Sequence, residues 1–176
     1  MIYLLLTDGF EEIEAFTPLD ILRRCGMKLS TVGVHGKSVV GAHEIKVEAD
    51  IEIKEVNKEA MEMLILPGGG GYAGLKTPEV YELINYAVEN NIPVGAICAA
   101  PSILGEAGLL ENKKATCFPG FENEMKGAHL TGAAVEEDGI FITGKGAGAA
   151  SEFGFALAGR ICGKEKAREI KNAMQY

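Results

Sequence analysis

One cysteine of this sequence, Cys98, stands where a chain can place a nucleophile. It directly follows the short apolar segment 92–97, and the residues from Ala99 onward have the pattern of a helix. A strand that passes into a helix without a loop makes a sharp turn that exposes its central side chain, as in the nucleophile elbow of hydrolases. Free N–H groups at a helix N-terminus favour thiolate, so the position predicts a nucleophilic or oxidisable sulfur. A buried structural cysteine is the alternative.

Glu14 is the second candidate, because it lies in the middle of an apolar helix face. The segment 10–24 is predicted to be helical, and at about 100° per residue this face also carries Phe10, Ile13, Thr17 and Ile21. A carboxylate there is costly unless it is protonated or paired. A protonated Glu14 could donate a hydrogen bond to a thiolate and later move a proton. In the alternative interpretation, Pro18 ends the helix early and Glu14 is solvated.

A run of four glycines, residues 68–71, follows the apolar segment 63–66. Such a loop presents backbone N–H groups without side chains in the way, which suits an oxyanion hole or an anion nest. It has neither the Lys-Ser/Thr of a P-loop nor the spacing of a dinucleotide fingerprint. A plain flexible turn remains the alternative.

The histidines carry a weaker signal. His129 follows a predicted strand at 115–118, whereas His35 and His43 lie in or beside a predicted hairpin at 38–52. A lone histidine is more often a surface residue than a catalyst. No cysteine or histidine cluster has the spacing of a metal site, so no metal is expected.

These residues must be positioned by an α/β fold with a mostly parallel sheet. Apolar segments that are short and bounded by turn residues alternate with amphipathic ones, which is typical of strands buried between two helical layers. The ligand crevice of such a sheet lies beyond the carboxyl ends of its strands, where Cys98, Glu14 and the glycine run all fall. Strands are predicted at 2–6, 27–34, 63–66, 92–97, 115–118 and 139–143, and helices at 10–24, 78–90, 99–107, 149–162 and 164–175.

Composition limits the class of protein. The chain has 176 residues, 47% of them hydrophobic, without an internal repeat or linker, so one domain over 1–176 is expected. A net charge of −8 without basic runs argues against sequence-specific nucleic acid or a membrane as partner. The N-terminus does not resemble a signal peptide, and a cytoplasmic location with free thiols is expected. The remaining cysteines are interpreted as structural: Cys25, Cys117 and Cys162.

Taken together, the motifs resemble the ThiJ/PfpI superfamily, and within it the DJ-one (Parkinson-disease protein deglycase) and YajL-like branch. The resemblance rests on residues 8–14 (Asp-Gly-Phe-Glu-Glu-Ile-Glu), 18–20 (Pro-Leu-Asp), 66–69 (Leu-Pro-Gly-Gly), 96–101 (Ala-Ile-Cys-Ala-Ala-Pro) and 151–156 (Ser-Glu-Phe-Gly-Phe-Ala). It implies a flavodoxin-like sandwich, as in class I glutamine amidotransferases, and a homodimer.

The resemblance also implies roles for individual residues. Cys98 would be the nucleophilic, redox-sensitive thiol, Glu14 its protonated partner, and His129 the family's histidine near that cysteine. The amides of Gly68 and Gly69, with Ala99 beside them, would face the pocket. Two departures are evident: Ala99 stands where the PfpI peptidases have a histidine, and His43 stands where close relatives have an arginine.

The function that the resemblance implies is a cysteine-dependent, glutathione-independent glyoxalase or deglycase with a role in oxidative stress. Its substrates would be methylglyoxal, glyoxal and their adducts on proteins and nucleotides. Thiol addition and proton transfer need no metal or organic cofactor. The alternative is a non-enzymatic redox sensor or holdase chaperone that uses oxidation of Cys98. A PfpI-type peptidase is disfavoured by Ala99.

Overall fold

A computed structural model describes residues 1–176 and contains eleven strands and five α-helices. The strands are β1 Ile2–Leu6, β2 Leu29–Gly33, β3 Ser38–Val40, β4 Lys46–Glu48, β5 Ile51–Glu52, β6 Met63–Leu66, β7 Val94–Ile97, β8 Lys114–Ala115, β9 His129–Leu130, β10 Val135–Asp138 and β11 Phe141–Gly144. The helices are α1 Glu12–Arg24, α2 Pro78–Glu89, α3 Pro101–Glu106, α4 Ala150–Cys162 and α5 Lys164–Ala173.

The main sheet has seven strands in the order β10-β11-β7-β6-β1-β2-β5, and every neighbouring pair is parallel except β10 with β11. Strand β1 shows why apolar runs form its centre. Leu4 and Leu6 pack into one hydrophobic cluster with α1 and α4, while Tyr3 and Leu5 pack into the other with α2 and α3. Both faces are therefore buried, which confirms the predicted flavodoxin-like sandwich.

Helix α1 continues past Pro18 to Arg24, so the alternative in which proline ends the helix is wrong. Pro18 lies against Gly154 of α4, where a Cβ would approach the Pro18 Cα to 3.1 Å. The close approach of the two helices at Gly154 keeps α1 in place over the sheet. The predicted inward position of Ile13 is also wrong, because the helix begins at Glu12 and leaves Ile13 52% exposed.

Two parts of the sheet differ from the prediction. Of the segment 115–118, which was predicted to be a strand, only Ala115 lies in one. It belongs to β8, which pairs with β9 in a separate two-stranded sheet. Beyond it the backbone is engaged elsewhere: the Thr116 N–H donates to Thr143 Oγ1 and the Phe118 N–H donates to the Cys98 carbonyl. The sequence analysis also missed β10, whose residues Val-Glu-Glu-Asp lack the apolar pattern of a strand.

The predicted hairpin at 38–52 is present as the antiparallel pair β3 and β4, and its last residues become the edge strand β5 of the main sheet. None of the helices combines the length and the apolar character that crossing a membrane requires.

Candidate active site

Cys98 lies at a strained turn at the carboxyl end of β7. Its φ of 66° is in the left-handed region, which is uncommon for a residue other than glycine. The turn is held on both sides, because the Cys98 N–H donates to the Gly144 carbonyl at 2.9 Å and the Cys98 carbonyl accepts from the Phe118 N–H at 2.8 Å. The backbone thus presents the sulfur at the sheet edge, in the manner of a nucleophile elbow.

Glu14 projects from the first turn of α1 toward this sulfur. It is 1% exposed, and its Oε2 accepts a hydrogen bond from the Gly68 N–H at 2.9 Å. Burial raises the pKa of Glu14 to about 7, while hydrogen bonds from the Cys98 side chain and the Gly68 amide act in the opposite direction. The carboxyl group is therefore near half protonation at neutral pH, which suits a group that accepts and returns a proton.

The thiol itself differs from the expectation of a resting thiolate. Burial, followed by the nearby Glu14 charge, raises the pKa of Cys98 to about 12, and the Gly69 and Ala99 amides only partly oppose this. The helix α3 begins at Pro101 and not at Ala99, so the sulfur gains little from a helix terminus. Ionised Glu14 therefore opposes ionisation of Cys98, and the thiolate is favoured when the proton lies on Glu14.

The glycine loop packs tightly against both groups. A Cβ on Gly68 would lie 2.7 Å from the Cys98 Cβ and 2.8 Å from Glu14 Oε2. Gly69 has a φ of 96°, which a side chain would strain. The predicted oxyanion role of Gly68 needs correction, because its N–H is already bound to Glu14. The amides of Gly69 and Ala99 act on the sulfur instead, because each lowers the pKa of the Cys98 thiol.

A cavity of about 340 Å³ opens over Cys98. Its polar side is formed by Glu11, Glu14 and the glycine loop, and its opposite wall is largely aromatic. The remaining residues around it are Tyr72, Ala99, Phe118, Phe121 and Ala147. The size and the mixed lining suit a small molecule with one polar reacting end.

His129 does not belong to this site. It is exposed on β9, and the aromatic residues that reach the cavity from the chain after β8 are Phe118 and Phe121. A strand was predicted over 115–118, but β8 ends at Ala115. Beyond it the backbone turns toward Cys98, and the Phe118 N–H donates to the Cys98 carbonyl. The cavity lining contains no imidazole, and Cys98, Glu14, Gly68, Gly69 and Ala99 are brought together without it.

His43 sits beside the cavity, bound to the start of α1. Its Nδ1 lies 2.7 Å from Glu12 Oε2, and its backbone N–H donates to Glu12 Oε1 at 2.8 Å. The hydrogen bond that His43 donates to Glu12, together with the charge of Glu11, raises the pKa of His43. This contact fastens the β3–β4 hairpin to α1 and leaves Glu11 at the cavity wall.

Sequence reasoning missed the aromatic wall of the cavity. Tyr72 and Phe121 pack edge to face, with ring centroids 5.2 Å apart, and both come from irregular segments without a motif. The available signal was Phe118 itself, an aromatic residue just beyond a predicted strand end.

The raised pKa of Glu14 predicts a pH-dependent stability. Its proton is retained in the folded state up to about pH 7 but is lost near pH 4.5 on unfolding, so the free energy of unfolding falls as pH rises between these values. The decrease should total about 3 kcal/mol and be absent in Glu14→Gln. Urea unfolding at pH 4, 6 and 8 measures it. Glu59→Gln, which alters an exposed carboxylate, is the control, and equal pH slopes in all three proteins would contradict the assignment.

The chain belongs to the DJ-1/PfpI family, which it matches over residues 1–160. It is 34% identical to the protein DJ-1 homolog B of Arabidopsis thaliana, over 96% of this chain but 39% of that longer protein. It is 30% identical to the glutathione-independent glyoxalase DJR-1.2 of Caenorhabditis elegans, over 95% of this chain and 91% of the relative. It is also 30% identical to the deglycase TK1284 of Thermococcus kodakarensis, over 82% of this chain and 89% of the relative.

Solved structures show the same fold. A DJ-1 superfamily protein of Salmonella typhimurium superposes with a TM-score of 0.93 at 31% identity, covering 99% of this chain and 97% of that one. DJ-1beta of Drosophila melanogaster superposes with a TM-score of 0.91 at 28% identity, covering 98% and 96%. An enzyme-like role is supported by the relatives that are named for glyoxalase and deglycase activity.

Proposed function

We propose that this protein is a glutathione-independent glyoxalase and deglycase that acts on methylglyoxal, glyoxal and their adducts through Cys98. The observation that carries the proposal is the pairing of Cys98 with Glu14. A thiol on a strained turn and a carboxyl with a pKa of about 7 interact at one small cavity. Two relatives with about the same identity to this chain are named as a glyoxalase and a deglycase.

The first step would be addition of sulfur to the aldehyde carbon. Glu14, as carboxylate, takes the Cys98 proton, the C–S bond forms, and the carbonyl π electrons move to the aldehyde oxygen. The amides of Gly69 and Ala99, which both lower the pKa of the Cys98 thiol, would stabilise this oxyanion. Return of the proton from Glu14 gives a neutral hemithioacetal.

The second step would be proton transfer between the two carbons. Glu14 removes the proton from the former aldehyde carbon, and the electron pair forms an enediolate with the neighbouring carbonyl. Glu14 then delivers the proton to that neighbouring carbon, while the hydroxyl proton of the first carbon passes to the second oxygen, which leaves a thioester at Cys98. Water hydrolyses the thioester to lactate and the free thiol, so methylglyoxal plus water balances with lactic acid. An adduct on an amine or thiol would first lose its carrier by cleavage of the C–N or C–S bond, with the adduct's hydroxyl proton passing to the carrier, and the freed aldehyde would follow the same steps.

The test is methylglyoxal consumption and lactate formation by purified protein from a host without its own glyoxalases. Wild type should turn over, and Cys98→Ala should lose activity to background because no carbon–sulfur bond can form. Cys117→Ala, which changes another thiol outside the cavity lining, is the matched control and should retain turnover. Absence of turnover in the wild type would refute the proposal.

One feature favours a second function, that of a redox sensor. Both the Glu14 carboxyl and the Gly69 amide interact with the Cys98 sulfur, so a sulfinate formed there by peroxide would find hydrogen-bond donors already in place. In that case, dilute peroxide should add two oxygen atoms to Cys98 ahead of Cys25, Cys117 and Cys162 by peptide mass mapping, and methylglyoxal would not be consumed. A holdase chaperone activity would accompany this function as binding of unfolded clients.

We further propose that the chain acts as a single cytoplasmic domain and as a homodimer. Arg23 on α1 binds Asp50 and the Leu29 carbonyl, so it is not free to contact a partner. The exposed apolar residue of α1 is Ile13, which adjoins a surface groove with Phe16, Met174 and Tyr176. A partner subunit would cover this surface.

Light scattering should therefore give twice the chain mass of 18.7 kDa at micromolar concentration. Ile13→Asp should shift the equilibrium toward the monomer, because it places a charge in the proposed interface. Ile45→Asp changes another exposed apolar residue and serves as the control. A wild-type mass of one chain would contradict the dimer.

A further inference from the structure

A second surface cavity lies away from Cys98, in a groove between α4 and α5. It has a volume of about 620 Å³, and four basic side chains line it against a single acidic one. We call it the basic groove; its residues are Glu137, Phe155, Ala156, Gly159, Arg160, Lys164, Ala167, Arg168 and Lys171. A concentration of positive charge in a chain of net charge −8 is unexpected for a merely solvated face.

Local sequence explains the shape of the groove. Gly163, with a φ of 88°, separates α4 from α5 and lets the second helix turn back along the first. Lys164, Arg168 and Lys171 then follow one another at the spacing of a single helix face. Gly159 and Ala167 are small, and they leave the space between the two helices open.

Two of the cations are held in position by the fold. The Arg160 guanidinium donates to the Gly139 carbonyl at 2.7 Å and to Glu137 Oε2 at 3.0 Å. The Lys171 ammonium lies 5.7 Å from the centre of the Phe155 ring. Both side chains are therefore partly preorganised, and Phe155 adds an aromatic surface to the groove.

The other two cations have no carboxylate partner. Lys164 and Arg168 form no ion pair, whereas Lys166 on the same helix pairs with Glu169 at 3.1 Å and does not line the groove. Adjacent unpaired cations repel one another, and bringing them together in a concave site is unfavourable unless an anion neutralises them. A small ligand with several negative charges would neutralise Lys164 and Arg168, with Arg160 and Lys171 beside them.

We propose that the basic groove binds a small molecule that carries two or more linked phosphate groups. Arginine forks match phosphate oxygens in geometry, and the number of cations suits a di- or triphosphate. The volume is that of a small-molecule site, and the negative charge of the rest of the protein disfavours a long polyanion. Phe155 has a partly buried ring and gives the groove an aromatic surface. The groove therefore suits the phosphate groups of a nucleotide as well as those of an inorganic polyphosphate.

This would be a site separate from the one at Cys98. Residues just before α4, such as Ala147, line the Cys98 cavity, whereas Arg160 near the other end of the helix lines the basic groove. The two cavities have no lining residue in common. Binding in the groove should therefore be independent of the proposed glyoxalase activity.

The test is titration calorimetry of the full chain with inorganic triphosphate and, separately, with ATP, at 50 mM salt. We expect saturable one-to-one binding of both, weakened at 200 mM salt. Lys164→Ala and Arg168→Ala should each reduce affinity about tenfold, since each removes a charged hydrogen-bonding group. Tighter binding of ATP than of triphosphate would assign the site to a nucleotide, and equal affinity would assign it to the phosphate chain alone; both support the proposal.

The matched control is Lys166→Ala, which removes the same charge from the same helix but outside the groove, and it should bind as wild type does. Cys98→Ala should also bind as wild type. No binding of either phosphate compound by wild type, equal weakening by Lys166→Ala, or equally tight binding of adenosine would each overturn the proposal. Because the substituted side chains are exposed, thermal melts should show that all variants remain folded.

Discussion

Replacement of Glu14 by Gln is expected to reduce methylglyoxal turnover by about a hundredfold or more, while making Cys98 more reactive toward iodoacetamide. The two effects have different causes. Gln keeps the size of Glu14 but cannot accept and return a proton, so the transfer between the two substrate carbons fails. At the same time, loss of the nearby negative charge and of its hydrogen bond removes two of the causes that raise the pKa of Cys98.

Opposite changes in turnover and alkylation distinguish a proton carrier from a structural residue. A variant that merely damaged the site would show slower turnover and slower alkylation of Cys98. A variant that only lowered the thiol pKa would show faster turnover and faster alkylation. Turnover is measured as lactate formed, and alkylation as the rate at pH 8 with peptide mapping to Cys98. Glu59→Gln is a matched control at an exposed carboxylate. Wild-type turnover in Glu14→Gln would contradict the proposed mechanism.

Gly68→Ala is expected to lower turnover by about a hundredfold and to destabilise the protein by about 1–3 kcal/mol. The added methyl group would lie 2.8 Å from Glu14 Oε2 and 2.8 Å from the Ile97 carbonyl, in addition to its contact with Cys98. These neighbours are parts of a buried turn, so relief requires a shift of the catalytic groups themselves.

Gly70→Ala, in the same loop, is the control, because a Cβ there meets nothing within 4 Å. Its free energy of unfolding should remain close to that of wild type, and its turnover should change only a few-fold. Methylglyoxal kinetics and urea unfolding of the two variants make the comparison. If Gly68→Ala and Gly70→Ala behave alike, the close packing of Gly68 against Glu14 and Cys98 has no functional importance.

The elements that carry Cys98 and Glu14 could be predicted because their signals are local. An apolar segment that leads directly into a helical one defines the turn at Cys98, and a carboxylate on an apolar helix face marks Glu14. The parallel sheet then requires that both lie at one edge, since strands with helical crossovers all point the same way. The position of the site was therefore indicated, before any contact was known, by three predicted segments: 10–24, 63–66 and 92–97.

Features that depend on which atoms meet across the fold could not be predicted in this way. His129 was favoured as the residue near Cys98, yet Phe118 is the one that contacts the turn, because β8 ends after two residues. Gly68 was expected to stabilise an oxyanion, yet its N–H is bound to Glu14. Both outcomes depend on hydrogen bonds between segments far apart in sequence, for which periodicity and composition carry no information.

The ionisation of Cys98 and Glu14 also depends partly on the sequence and partly on the tertiary structure. From sequence alone, the type and spacing of residues determined that a thiol and a carboxyl would share the sheet edge. Only the tertiary structure decided how deeply each is buried, and burial disfavours the charged form of both. It therefore raises the pKa of Glu14 to about 7 and that of Cys98 to about 12. The thiolate expected from a helix terminus is replaced by a thiol whose ionisation depends on its buried neighbour.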